Sequence, residues 1–243
     1  MNKRRAFTLV ELLIVIGIIL ALVSILLPAM TSARHQAKSV TCLANLRQLQ
    51  LAFVNYVGND NDGHSIAYNG GQNLWLPELR SGGGVQAVRF CPEAPDIAPV
   101  MGTAVMSWTW AGSTSYPIGY TAGSYGINGW LYADDNHGGS PSSYVSLPKG
   151  WKSDLPVFSD SIWIDGWPHS GDAPPANVHA GGNNSSMARI CMDRHHRAIN
   201  VVFLGGNAAT IPLLDLWSLP WSTNYVPPTP AQLLAIQNQI AAQ

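Results

Sequence analysis

Charge is scarce in this chain. Only 11% of its 243 residues are Asp, Glu, Lys or Arg, and 13 cations against 14 anions leave a formal net charge of −1. The cations are scattered apart from Lys3, Arg4 and Arg5, so no basic face exists for nucleic acid. Cysteine is rarer still. Cys42, Cys91 and Cys191 lie far apart and form no C-x-x-C pair, which argues against a zinc centre built on thiolates. Neither H-E-x-x-H nor G-x-S-x-G occurs, so the familiar metal-hydrolase and serine-hydrolase signatures are missing. No internal repeat is visible. General disorder is excluded from the other side, because 47% of the residues are apolar. What the chain does have is glycine (23), proline (17) and tryptophan (9), which suit a loop-rich domain of short strands.

It also has one long apolar run. From Leu12 to Leu27 the only polar side chain is Ser24. As a helix, Phe7 to Met30 spans roughly 36 Å, enough to cross a bilayer. The cations before it hold the N-terminus in the cytoplasm and send the rest outward. A plain anchor, a cleaved secretory signal, or a segment with a use for Glu11 would each fit this outline. A carboxylate within hydrocarbon is costly, by about 2.5–3.5 kcal/mol at mid-bilayer, and it wants a partner. No cation lies C-terminal to Glu11 until Arg34, so the partner comes from another molecule or from the chain's own N-terminus. Pro28 removes a helical hydrogen bond and predicts a kink where the helix leaves the membrane.

Beyond Pro28, Ala33, Ala37, Val40, Leu43 or Ala44, Leu46, Leu49 or Gln50, Phe53 and Val57 follow largely three- and four-residue steps, with Arg34, Lys38, Arg47 and Gln48 largely on other faces. The helix is predicted to continue to Val57 and to stop at the turn-rich stretch Gly58–Gly63. Short apolar stretches at Val85–Cys91, Ala104–Ala111, Ser124–Leu131, Leu155–Ile164 and Ile199–Leu204 read as strands. Residues 110–150 and 165–187 read as long loops. Thr229-Pro230 reads as a cap and first position of a short helix ending near Ala241. The expected class is α+β: a long N-terminal helix, half membrane and half amphipathic, packed on a small antiparallel sheet with long loops. In an exported domain Cys42 and Cys91 would form a disulfide tying the helix to the first loop region. The alternative is that all three cysteines are small buried hydrophobes.

The segment Ala6-Phe7-Thr8-Leu9-Val10-Glu11-Leu12-Leu13 resembles the leader junction of type IV prepilins and type II secretion pseudopilins. The resemblance implies cleavage by prepilin peptidase between Ala6 and Phe7 and N-methylation of Phe7. The family usually has glycine where this chain has Ala6. It also gives Glu11 an assembly role, pairing with the new α-amine of a neighbouring subunit in low dielectric. The implied organisation is a cytoplasmic leader (1–6), a membrane and assembly helix (7–29), its amphipathic continuation (30–57) and a periplasmic β-rich domain (58–243). The implied function is structural rather than enzymatic: a single-pass inner-membrane subunit, N-terminus cytoplasmic, polymerising into a secretion pseudopilus or a pilus-like filament. Its partners would be copies of itself, other pilin-like subunits, prepilin peptidase, the inner-membrane assembly platform and membrane lipid.

Cys42–Leu49, Phe90-Cys91-Pro92, Ser124–Gly129 and Arg194-His195-His196 further resemble large pseudopilin-like proteins of planctomycete and verrucomicrobial bacteria. That subgroup carries a histidine, nine residues, then Asp-Gly. Here the count from His195 reaches Gly205-Gly206, so the aspartate is absent. No cofactor is expected beyond a structural calcium ion of the kind secretion pseudopilins hold. Asp134-Asp135-Asn136 and Asp60-Asn61-Asp62-Gly63 are oxygen-rich, although solvated turns look the same. Asp160, Asp165, His169, His179, Asp193, His195 and His196 could be assembled into a hydrolytic metal site, but without ligand spacing they read as loop-ordering residues. Trp108, Trp110, Trp130, Trp151, Trp163, Trp167, Trp217 and Trp221 leave a rival open, a membrane-tethered binding module that stacks carbohydrate and does not polymerise. The other use of such rings is to fill a core.

Overall fold

The computed structural model of the protein describes residues 9–60, 64–68, 74–79, 85–110, 122–133, 144–147, 149 and 151–243. It comprises two compact units, Met1–Ala37 and Lys38–Gln243. In the first, helix α1 (Leu9–Asn55, whose later part belongs to the second unit) is largely apolar as far as Met30 and exposed at every residue over that stretch. It is long and apolar enough to cross a membrane. Two of the three hydroxyls on α1 up to Ala37 turn inward to the helix backbone: Ser24 Oγ donates to Ala21 O at 2.8 Å and Thr31 Oγ1 to Leu27 O at 3.1 Å. Such back-bonding satisfies a hydroxyl where water is missing. Pro28 lies inside the helix, which continues on both sides of it.

In the second unit the buried face of α1 is Cys42, Leu46, Leu49, Gln50, Phe53 and Val57. Val40, expected inward, is 65% exposed, because the packed stripe is set by Cys42 and Leu46 and places Val40 on the opposite side. The α-helical pattern ends at Asn55 and widens into a π-helical turn, Tyr56–Asp60, where Gly58 interrupts the apolar face. Short helices α2 (Trp75–Glu78) and α3 (Val85–Val88) follow. The apolar stretch Val85–Cys91 is therefore helical at its start rather than a strand, with Val85 and Val88 buried three residues apart on one face of a single turn.

Among the described residues there are eight short strands. β1 (Asp96–Ile97), β2 (Met106–Thr109) and β3 (Ala122–Gly123) form a three-stranded sheet. β4 (Tyr125–Asn128), β5 (Pro156–Asp160), β6 (Asp165–Gly166), β7 (Ala198–Phe203) and β8 (Ala208–Pro212) form a five-stranded sheet in the order β6-β4-β5-β7-β8. Pairing is antiparallel except for β1 with β2 and β4 with β6, so the architecture is α+β with mostly antiparallel sheets. Helix α4 (Ser186–Ile190) precedes β7, and helix α5 (Pro230–Ala241) opens with a capping box between Thr229 and Gln232.

Helix and sheet meet through aromatic contacts. Phe53 of α1 lies edge-on to Phe158 of β5 at 6.1 Å, and Trp75 sits 4.8 Å from the same ring. Each such fully buried side chain stabilises the fold by roughly 1.5–3 kcal/mol, and truncating Phe53 to alanine would cost about 3–5 kcal/mol.

Candidate functional site

Two features of this molecule carry chemistry, one in each unit. In the first, Glu11 stands in the opening turn of α1, exposed and flanked by Val10, Leu12 and Leu13, which are all more than half exposed. An acidic group there complements the positive end of the helix dipole. Ala6 and Phe7, the expected cleavage and methylation positions, lie outside the described residues.

In the second unit, a cluster of charges is closed off from solvent. Arg194 and Asp160 have side chains 0% exposed, and His195 only 3%. Arg194 Nη1 approaches Asp160 Oδ1 at 3.2 Å, and His195 Nε2 approaches Asp160 Oδ2 at 3.1 Å. The rest of the guanidinium is satisfied by backbone: Nε donates to Ala104 O at 3.0 Å, Nη1 to Ser124 O at 2.6 Å and Nη2 to Thr103 O at 2.8 Å. The backbone N–H of Asn200 donates to Asp160 Oδ2 at 2.8 Å. Burial alone would raise the Asp160 carboxyl, but His195, Arg194 and the Asn200 amide outweigh it and hold it below the usual carboxylate range.

This cluster is wired to α1. Asn200 Nδ2 donates to Ser39 O at 3.2 Å, and Asn45 Nδ2 donates to Phe90 O at 3.0 Å. Cys42 and Cys91 are joined in a disulfide, with Cα atoms 5.3 Å apart. His195 Nε2 lies 3.5 Å from Cys91 Sγ. Cys91 N donates to Ser124 Oγ, whose own carbonyl receives Arg194. The third cysteine, Cys191, keeps its thiol in the core, where burial pushes its pKa up to about 12.

The backbone makes a local sacrifice to bring Arg194 and His195 inward. His196 and Arg197 both adopt left-handed conformations, with φ of 54° and 60°, a strained choice for residues with a Cβ. Asp193 Oδ1 accepts from Arg197 N at 2.5 Å, His195 N donates to Ala198 O, and Arg197 Nη2 donates to Ile240 O of α5 at 2.6 Å. These bonds hold the turn that enters β7.

The remaining acidic and histidine candidates do not converge. Asp193 faces His179 at 3.6 Å and Asp172 faces His169 at 3.8 Å, both histidines being largely exposed. Asp165 is buried 3.6 Å from Arg189, and burial raises its carboxyl to about 7 against the pull of Arg189 and Tyr132. His195 turns the same ring nitrogen to Asp160 and to Cys91, so it cannot relay a proton between them as a triad does. Gly205-Gly206, at the position of the subgroup's Asp-Gly, forms the turn from β7 to β8. Gly206 has φ +90°, and a Cβ on Gly205 would meet Ser153 O at 2.9 Å. A side chain at 205 would therefore require the Ser153 backbone to shift.

The oxygen-rich triplet Asp134-Asp135-Asn136 and most of Asp60–Gly63 lie outside the described residues. Of the tryptophans, Trp108, Trp130, Trp167, Trp217 and Trp221 are at most 3% exposed and cannot stack on a ligand. Trp110 and Trp163 pack edge-on to each other at 5.4 Å, and Trp151 is 42% exposed. Reading the sequence did not single out Arg194 and Asn200 as partners of Asp160. Pairing β5 with β7 is what brings them together, and no local pattern announces it.

No curated protein and no solved structure matches the chain. Residues 1–27 match the prokaryotic N-terminal methylation motif, and with the long apolar helix that follows this supports a pilin- or pseudopilin-like chain processed by prepilin peptidase.

Proposed function

We propose that the protein is a structural subunit of a type II secretion pseudopilus or a type IV pilus-like filament, a substrate of enzymes rather than an enzyme. The observation that carries this reading is the methylation motif over residues 1–27, leading into an exposed apolar helix with Glu11 in its first turn. Prepilin peptidase cuts between Ala6 and Phe7 and Phe7 is methylated. The helix then holds the chain in the inner membrane with residues 58–243 outside. In the filament, Glu11 receives the cationic amine of a neighbour's Phe7, since a lone charge in low dielectric is strongly disfavoured and a hydrogen-bonded pair is tolerated. Pro28 bends the helix where it leaves the bilayer.

The disulfide supports the outward placement of the second unit, because such bonds persist in oxidising compartments. The resemblance to the large pseudopilin-like subgroup rests on Cys42–Leu49, Phe90-Cys91-Pro92, Ser124–Gly129 and Arg194-His195-His196, and Gly205 departs from its Asp-Gly. The binding-module reading loses its main support, since most of the rings it relied on are in the core.

Mass spectrometry of protein recovered from its native envelope tests the proposal. It should give an N-terminus at methylated Phe7. A mature chain that retains Met1–Ala6, or one that begins near Arg34, overturns it.

A further inference from the structure

Cys42, Cys91 and His195 come from the helix, the loop after α3 and the turn before β7, and the sequence did not place His195 beside the cysteine pair. Their ligand atoms, the two Sγ and Nε2, all lie within 4.8 Å of one another, and all three residues are buried. We propose that these three residues form a thiophilic metal site, and that zinc and the disulfide are alternative occupants of one position that fastens α1 to the sheet.

The geometry of one edge is already right. With Zn–S near 2.3 Å and Zn–N near 2.05 Å, a tetrahedral centre separates sulfur from nitrogen by about 3.5 Å. The Cys91 Sγ to His195 Nε2 distance is 3.5 Å. The two sulfurs must part to about 3.8 Å in the same geometry, and Cys42 Sγ starts within 4.8 Å of Nε2. Asp160 Oδ2, 3.1 Å from Nε2, lies beside these three ligands, and water would take the fourth position. Charge favours a dication as well. Two thiolates and Asp160 bring three negative charges next to the single positive charge of Arg194, and Zn²⁺ brings the cluster to neutrality. Without the metal, the buried thiolates would be uncompensated.

The chemistry balances. A dithiol or phosphine reductant takes up the disulfide's oxidising equivalents and is itself oxidised, leaving two thiols. Zn²⁺ then displaces the two thiol protons. His195 offers Nε2 as a lone pair with its single ring proton on Nδ1. The site lies wholly within Lys38–Gln243 and owes nothing to the filament reading.

The test uses the full chain in detergent, reduced with a phosphine under mild denaturant and returned to native buffer without oxygen in the presence of Co²⁺. The expected result is one equivalent of cobalt, thiolate-to-cobalt charge-transfer absorption with tetrahedral d–d bands, and displacement by Zn²⁺. His195→Gln should weaken binding about tenfold or more, and Cys42→Ser should abolish the spectrum, while Cys191→Ser leaves it unchanged. A reduced chain that takes up no cobalt overturns the proposal whether or not it refolds, because the metal is proposed to replace the disulfide as the fastener. Binding indifferent to both Cys42→Ser and His195→Gln overturns it equally.

Discussion

Asp160 and Arg194, 34 residues apart, meet at 3.2 Å with both side chains fully out of solvent. One ends strand β5 and the other precedes β7, so the ion pair sits at one end of the β5–β7 strand pair. Taking two charges out of water is expensive, and here the cost is offset by saturating the guanidinium with carbonyls and the carboxylate with the Asn200 amide and His195. Breaking the pair is a different matter from replacing it. Asp160→Asn keeps the shape but strands Arg194, and should cost about 3–5 kcal/mol in chemical unfolding. Asp160→Leu with Arg194→Met should recover much of that loss. A stable Asp160→Asn protein would show that the pair is dispensable.

The disulfide closes a loop of 49 residues between α1 and the segment after α3. In the chain-entropy picture a loop of that length is worth about 4 kcal/mol. Cys42→Ser with Cys91→Ser should therefore lower the unfolding free energy by an amount of that order, read from the denaturation midpoint together with the slope, which should rise as the unlinked unfolded chain expands. A loss below about 1 kcal/mol would mean that the fold holds α1 without it.

Asp165 supplies a pH dependence of defined sign. Its folded carboxyl titrates at about 7 because burial disfavours the charge, against 3.8 for an ordinary aspartate. The folded state thus binds the proton more tightly than the unfolded state, and this contribution to stability falls as pH rises from about 4 to 7, then levels off. Asp165→Asn should remove that component. Unfolding free energies of wild type and variant, measured across the window, should converge at its acid end and differ above neutrality, with the variant the more stable. Parallel curves would show that Asp165 is ionised throughout.

Glu11 is predicted to matter for assembly and not for insertion. Glu11→Leu removes a carboxylate from an apolar helix and should leave membrane fractionation intact. Filament yield, or crosslinked oligomer in the native envelope, should drop sharply because the amine of Phe7 loses its partner. Normal yield in that variant would rule out the pairing.

Comparison of expectation with structure divides along the range of the interactions. The α1 segment from Leu9, the cap at Thr229 and the α5 helix were legible because they depend on neighbours three or four residues away. The Val85–Cys91 stretch was misread as a strand because its four helical residues are too few to show a period. Strand β8 was missed since Ala-Ala-Thr-Ile-Pro is neither strongly apolar nor alternating. The orientation of the amphipathic half was half right: Leu46, Leu49 and Phe53 are in the core, and Val40 is not.

The sequence by itself determined the N-terminal part of this protein: an apolar run of membrane length, an acidic residue in its first turn and a cleavage-like junction before it are all local facts of the chain. Only the tertiary structure decided that Asp160, Arg194, His195 and the Cys42–Cys91 pair occupy one buried cluster. The physical reason is separation. Burial and charge compensation act between atoms a few ångströms apart, and for these residues it is strand pairing and helix packing, with no regular spacing along the chain, that sets which atoms those are.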